Sequence, residues 1–185
     1  AKGLSPTQIE YHVLLEAAEG LGARRAAYLL GGCERSSERT LALLKPDAIR
    51  EGHEDAILAT LRAAGFRILR ERRFHLDEDG AATFLRTSWG SAKMGDPRRR
   101  FFRDMVAFYT SGEVLALLLE REDAISTWRA LLGPGDPSVA RAKAPLSVRA
   151  RLGTSKQANA AHGADSAASA RREIKLIFGA EFCDT

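Results

Sequence analysis

The sequence predicts an α+β fold: a ferredoxin-like βαββαβ sandwich, a four-stranded antiparallel sheet with helices packed around it, preceded by an N-terminal helical arm. Three observations carry that prediction. From Arg39 onward, short apolar runs of strand length alternate with amphipathic stripes of helical spacing, in the order β-α-β-α-β-α-β-α. The 185 residues are 45% hydrophobic and 28% charged, which excludes a wholly disordered, collagen-like or disulfide-stapled chain. The length suits one domain of ordinary size with room for an appendage, and no internal repeat is present. The alternation reads as placing the helices on one side of the sheet.

The appendage is residues 1–38. Ser5, Pro6 and Gln8 occupy the N-cap, first-helical and capping-box positions of a helix start. Ile9, Val13, Leu14 and Ala17 follow at helical spacing, Gly20 and Gly22 interrupt them, and residues 23–30 resume the pattern until Gly31 and Gly32 end it. Residues 33–38 form a polar connector. The domain is expected at 39–180, with a tail at 181–185.

Within the domain, residues 40–44 form an apolar run suited to a buried strand, and Lys45-Pro46-Asp47 stops it. Residues 53–64 are helical, with Ile57, Leu58 and Leu61 on one stripe and Gly65 as the stop. Residues 66–76 read as a strand. Asp77 caps a helix to about Leu85; the polar stretch 86–100, with two Gly and one Pro, reads as a loop; 101–109 returns to helix. Residues 114–119 are the most apolar strand candidate. Asp123 caps a helix whose stripe is Ile125, Trp128, Leu131 and Leu132, closed by Gly133. A long Pro/Gly-rich loop then runs to Pro145, and a short helical turn spans 147–151. Residues 158–161 are expected as the last strand. Asp165 or Ser166 starts the final helix, which reaches Ile177.

Several function classes are excluded at once. No stretch approaches the 18 or so uninterrupted apolar residues of a membrane span. Cys33 and Cys183 make neither a disulfide framework nor a zinc spacing, so a reducing compartment is the simplest setting. There is no phosphate-binding loop ending in Gly-Lys-Ser/Thr, no Gly-x-Gly-x-x-Gly after a strand and no nucleophile-elbow serine. His53-Glu54 lacks the second His of a zinc helix. The net charge of +4 permits a polyanionic partner without choosing one.

The chemistry concentrates in a polar segment from Ser147 to Glu173. His162 precedes a glycine, which permits close approach of backbone or ligand. A neutral imidazole nitrogen is a nucleophile when a partner holds its other nitrogen, and Glu173, two helical turns beyond Asp165, is such an acceptor. Taken alone, a single His in a loop is more often structural.

Lys45-Pro46-Asp47 after the first strand, together with Asn159-x-x-His162-Gly163-x-Asp165, resembles the nucleoside diphosphate kinase family over roughly residues 38–178. The run Ala124-Ile125-Ser126-x-Trp128-x-x-Leu131-Leu132-Gly133-Pro134 is similar to a divergent branch of that family that includes ciliary axonemal and mitochondrial members. The resemblance implies transfer of the γ-phosphate of ATP or another triphosphate to a diphosphate, by a two-step phosphohistidine route with Mg²⁺ on the donor phosphates. It makes His162 the nucleophile and Glu173 the residue that orients its ring. It places Lys45 at the transferring phosphoryl group, Arg129 and Arg149 at the outer phosphates, Asn159 at the sugar hydroxyl and Phe101 against the base. Phosphoryl transfer needs mainly positioning and positive charge, which this set supplies.

The resemblance also implies losses. The family's tyrosine near the γ-phosphate falls at Leu85, the serine after His-Gly at Ala164, and a phosphate-binding threonine near Gly135. Residues 86–100 read as an insertion. Nucleotide binding is therefore the firmer expectation. The alternative is a weakly active or inactive module in a larger assembly such as the axoneme, with protein partners met by the arm and by 86–100. The expected setting is cytoplasmic, or the cilium. Arg98-Arg99-Arg100 beside Phe101-Phe102 offers charge and aromatics for nucleic acid, but the strands lack paired exposed aromatics, so nucleic acid is not the expected partner.

Overall fold

Two central strands set the architecture, because side chains alternate across a strand and here both sets are apolar. The computed structural model describes residues 37–94 and 100–183, apart from the side chains of 89–94. Strand β1 (Glu38–Leu44) and strand β3 (Glu113–Arg121) pair antiparallel along their length. With β2 (Arg67–His75) and β4 (Ala161–Gly163) they form one antiparallel sheet of order β2-β3-β1-β4, the ferredoxin-like order.

Helices cover both faces, not one. Leu41, Leu43, Val114, Ala116 and Leu118 pack against α3 (Glu78–Met94), α4 (Arg100–Tyr109) and α8 (Ala167–Ile177). Ala42, Leu44, Leu115, Leu117 and Leu119 pack against α1 (Pro46–Arg50), α2 (Glu54–Ala63), α5 (Ala124–Leu132) and α7 (Val148–Leu152). The reason is in the strands themselves: six consecutive apolar residues in β3 leave no wet face for a one-sided sheet. Edge strand β2 is mostly exposed, and its polar run Arg70–Arg73 faces solvent.

Elsewhere the chain departs from the sequence reading in five places. Residues 46–50 form α1, which begins on Pro46; proline fixes φ and its missing N–H is not needed in a first turn. Helix α3 does not stop at Leu85 but continues to Met94, through most of the expected 86–100 loop. The expected loop 133–145 contains α6 (Pro137–Lys143), capped by Asp136, which accepts from the Ser138 N–H at 2.9 Å. Asp123 occupies the N-cap position of α5 as expected, but in the left-handed region at φ 55 and without a side-chain cap bond; Glu38 of β1 accepts from the Ile125 N–H at 2.9 Å instead. The last strand is Ala161–Gly163, not 158–161, because Ala160 at φ 70 breaks the extended run before pairing begins.

Other starts agree with expectation. Asp77 accepts from the Gly80 N–H at 2.7 Å at the head of α3, and Ser147 and Ser166 cap α7 and α8. A 3₁₀ turn at Ala180–Phe182 carries the domain slightly past 180. The expected N-terminal helix falls on residues outside those described.

Gly163 is required by packing. A Cβ there would lie 2.6 Å from the Trp128 indole and 2.9 Å from Leu132 Cδ1, and the same indole N–H donates to the His162 carbonyl at 3.2 Å. Gly163→Ala should therefore displace Trp128 and destabilise the fold by about 1–3 kcal/mol. Urea unfolding of both proteins checks this, and an unchanged midpoint would count against it.

Candidate active site

The same alternation that builds the core delivers the site. His162 lies opposite Leu43 in the β1–β4 ladder, so its side chain shares the face covered by α3, α4 and α8. Lys45 follows β1 with extended backbone, two residues beyond Leu43, and reaches the same side. Both are buried, at 7% and 4% exposure.

Backbone clamps hold the two together. The Lys45 N–H donates to the Ala160 carbonyl at 2.9 Å, and Asp47 Oδ2 accepts from the Ala160 N–H at 2.9 Å. Lys-Pro-Asp thus grips the one left-handed residue that precedes β4, at a distance of two residues from His162. The role of Asp47 was not assigned from sequence. Its presence in the motif was the available signal.

His162 Nε2 is 3.0 Å from Glu173 Oε2, and Glu173 on α8 is completely buried. A carboxylate at that distance accepts the Nε2 proton, which leaves Nδ1 as the ring nitrogen with a lone pair. Glu173 Oε1 is buried without a hydrogen-bond partner among the described residues. Phe84 meets the His162 ring edge-on, with centroids 5.2 Å apart.

Beside His162 is a cavity of about 280 Å³, lined also by Lys45, Tyr109, Gly135, Asp136, Arg149, Lys156 and Asn159. Lys45 Nζ donates to Asn159 Oδ1 at 2.7 Å and to the Gln157 carbonyl at 3.1 Å. Burial, with Arg149 nearby, lowers its pKa from 10.5 to about 7, against a smaller opposing effect of Asp47. Arg149 on α7 donates from Nη1 to the Gly133 carbonyl at 2.8 Å and from Nη2 to the Ala161 carbonyl at 3.1 Å. Burial lowers its pKa to about 10, with Arg129 adding to the effect. Both cations thus have uncharged acceptors, and a polyanion in the cavity would supply the missing counter-charge.

Five expected residues therefore converge: His162, Glu173, Lys45, Arg149 and Asn159. Two remain outside the cavity. Arg129 is exposed on α5, near enough for its charge to reach Arg149, and Phe101 is 58% exposed at the start of α4 while Phe102 is buried. Asn159 is already engaged, donating from Nδ2 to the carbonyls of Gly135 at 2.7 Å and Lys156 at 3.1 Å. Leu85 is wholly buried in the apolar core. Tyr109, Asp136 and Lys156 line the cavity without having been singled out from sequence. Tyr109 reads there as one more apolar-stripe residue after Phe102 and Met105, and a Lys156–Asp136 ion pair at 3.4 Å is long-range in sequence. Among the described residues no helix is long and apolar enough to cross a membrane, and no three His, Cys, Asp or Glu side chains cluster to hold a metal ion.

The cavity thus brings a buried histidine, held by a carboxylate, beside two buried cations on a ferredoxin-like fold. The family model for nucleoside diphosphate kinase matches residues 38–182, and the chain belongs to that family of nucleotide phosphotransferases. It is 41% identical over 141 residues to "nucleoside diphosphate kinase homolog 7" of Rattus norvegicus, covering 76% of this chain and 33% of that protein. The chain thus spans about a third of the length of that relative. It is 38% identical over 143 residues to the nucleoside diphosphate kinase of Deinococcus radiodurans, covering 77% of this chain and 95% of that one. A crystal structure of the Aquifex aeolicus nucleoside diphosphate kinase is similar with a TM-score of 0.70 at 40% identity, covering 77% of this chain and 96% of that one.

The lowered Lys45 pKa has a signed consequence. The unfolded chain binds more protons than the folded one between about 7 and 10.5, so stability rises with pH across that window. Urea unfolding at several pH values should show wild type gaining stability relative to Lys45→Met through the window. A pH-independent difference would contradict the burial of a proton-shedding lysine.

Proposed function

We propose that the protein transfers the γ-phosphate of a nucleoside triphosphate to a nucleoside diphosphate through a phosphohistidine at His162. One observation carries the reading: His162 commits Nε2 to Glu173 and so keeps Nδ1 for the cavity that Lys45 and Arg149 line. In the first half-reaction the Nδ1 lone pair forms a bond to the γ-phosphorus as the bond to the β–γ bridging oxygen breaks. The electron pair leaves with the nucleoside diphosphate. Positive charge developing on the ring is shared through Nε2–H with Glu173. In the second half-reaction a terminal oxygen of another diphosphate attacks the phosphorus, and the N–P electrons return to Nδ1.

Lys45 and Arg149 neutralise the equatorial oxygens, and Arg129 reaches the outer phosphates from the rim. Asn159 would exchange its present carbonyl partners for the sugar hydroxyl, and Phe101 would stack on the base. Stacking reads no hydrogen-bond pattern, so base preference should be weak. Magnesium enters as part of the substrate, on the nucleotide's phosphates. The phosphate charge would raise the Lys45 pKa, so binding above about pH 7 should take up a proton.

A second reading is a nucleotide-binding module of low activity in a larger assembly, of the ciliary kind the resemblance includes. Leu85, Ala164 and Gly135 favour it, since none offers a side-chain hydroxyl to the phosphates. Labelling separates the two. With γ-labelled ATP and Mg²⁺ the protein should acquire acid-labile, alkali-stable phosphate at position 162, and His162→Ala should lose transfer by roughly 1000-fold or more. Folded wild type that takes up no label would leave the second reading standing.

A further inference from the structure

The cavity beside His162 holds a hydroxyl that the reaction so far leaves unused. Tyr109 ends α4, is 1% exposed and lines the cavity with Lys45, Arg149 and His162. Its ring is fixed on two sides: Lys45 Nζ lies 5.6 Å from its centroid, and the Phe84 ring lies 5.8 Å away. Phe84 is the ring that abuts His162, so contacts run from Lys45 through Tyr109 and Phe84 to the histidine.

Tyr109 shares the cavity lining with Lys45, Arg149, Asn159 and His162. The charges that bear on the phenolic oxygen are those of Glu173, Arg149 and Asp47. Burial pushes its pKa far above the usual value, with Glu173 adding to the rise, so the hydroxyl keeps its proton and remains a donor. A buried phenol ordinarily has a hydrogen-bond partner. Among the described residues, no hydrogen bond involves this one. Lys45 Nζ, the two Nη groups of Arg149 and Asn159 Nδ2 all donate to protein oxygens. The Tyr109 O–H is a donor held at the cavity with nothing to donate to.

We propose that the Tyr109 hydroxyl donates a hydrogen bond to a non-bridging oxygen of the phosphoryl group that passes between nucleotide and His162, making Tyr109 a further catalytic residue. The inference rests on the phosphohistidine reading above. It also accounts for the loss at Leu85, the position where the family resemblance expects a tyrosine near the γ-phosphate. Leu85 is sealed in the core beside Phe84, and a hydroxyl from the neighbouring helix α4 serves the same phosphate.

Tyr109→Phe removes only the oxygen and keeps the ring contacts. The initial rate of His162 labelling by subsaturating ATP with Mg²⁺ should fall about 10- to 100-fold, the effect of one hydrogen bond to a charged group. The Tm should be unchanged, since no hydrogen bond among the described residues is lost. A rate within about twofold of wild type overturns the proposal, as does a fall in rate matched by a fall in Tm. If wild type itself takes up no label, the phosphohistidine reading fails and calorimetry decides the hydroxyl separately. ATP binding weakened about tenfold in Tyr109→Phe, with ADP binding unchanged, supports the contact; equal ATP affinities overturn it.

Discussion

The bond between His162 Nε2 and the fully buried Glu173 is the constraint around which the rest of this domain is arranged. A carboxyl group with no solvent is costly unless it is used, and here it fixes one ring nitrogen and so decides what the other can do. That bond spans two elements, a three-residue edge strand and the last helix. Neither would hold its geometry alone. Strand β4 is pinned by its ladder to β1, by the Asp47 and Lys45 bonds to Ala160, and by the Trp128 indole on the His162 carbonyl. Helix α8 is seated by Ala170, Ile174 and Ile177 in the core. Most of the packing near the site thus serves to place two side chains within hydrogen-bond reach.

The electrostatics follow from the same economy of space. Lys45 and Arg149 are brought close together, and carbonyl and amide oxygens are all they receive in return. Burial, more than any neighbouring charge, holds both pKa values below their usual range. Both side chains line the cavity beside His162, so a polyanion placed there would meet two buried positive charges.

Much of this was legible in the sequence, for identifiable reasons. The runs at 41–44 and 114–119 are apolar at every position, which marks them as buried strands, whereas the order of elements alone puts the helices on one side and misses the second layer. His162, Glu173, Lys45, Arg149 and Asn159 stand in motifs whose spacing survives folding, and all five meet. What escaped was context-dependent. Helix α3 runs through Thr87, Ser88 and Gly90, weak helix formers that local propensity assigns to a loop. The start of α6 at Asp136-Pro137 was hidden by its Pro/Gly-rich surroundings, and the cap on α5 comes from Glu38, far away in sequence. Tyr109 lies on an apolar helical stripe, where periodicity says core and only the fold says cavity. Arg129 and Phe101 carry the family pattern yet lie outside the cavity lining, both on exposed helix positions.

The central claim is that Glu173 holds the proton of His162 on Nε2 and leaves Nδ1 bare for phosphorus. Long-range ¹H–¹⁵N correlation spectra of protein labelled in its histidine rings, taken at a pH where the imidazole is neutral, test it directly. The account predicts that His162 is protonated at Nε2 and unprotonated at Nδ1, and that Glu173→Ala abolishes this preference. A His162 ring carrying its proton on Nδ1 in the wild-type protein would contradict it.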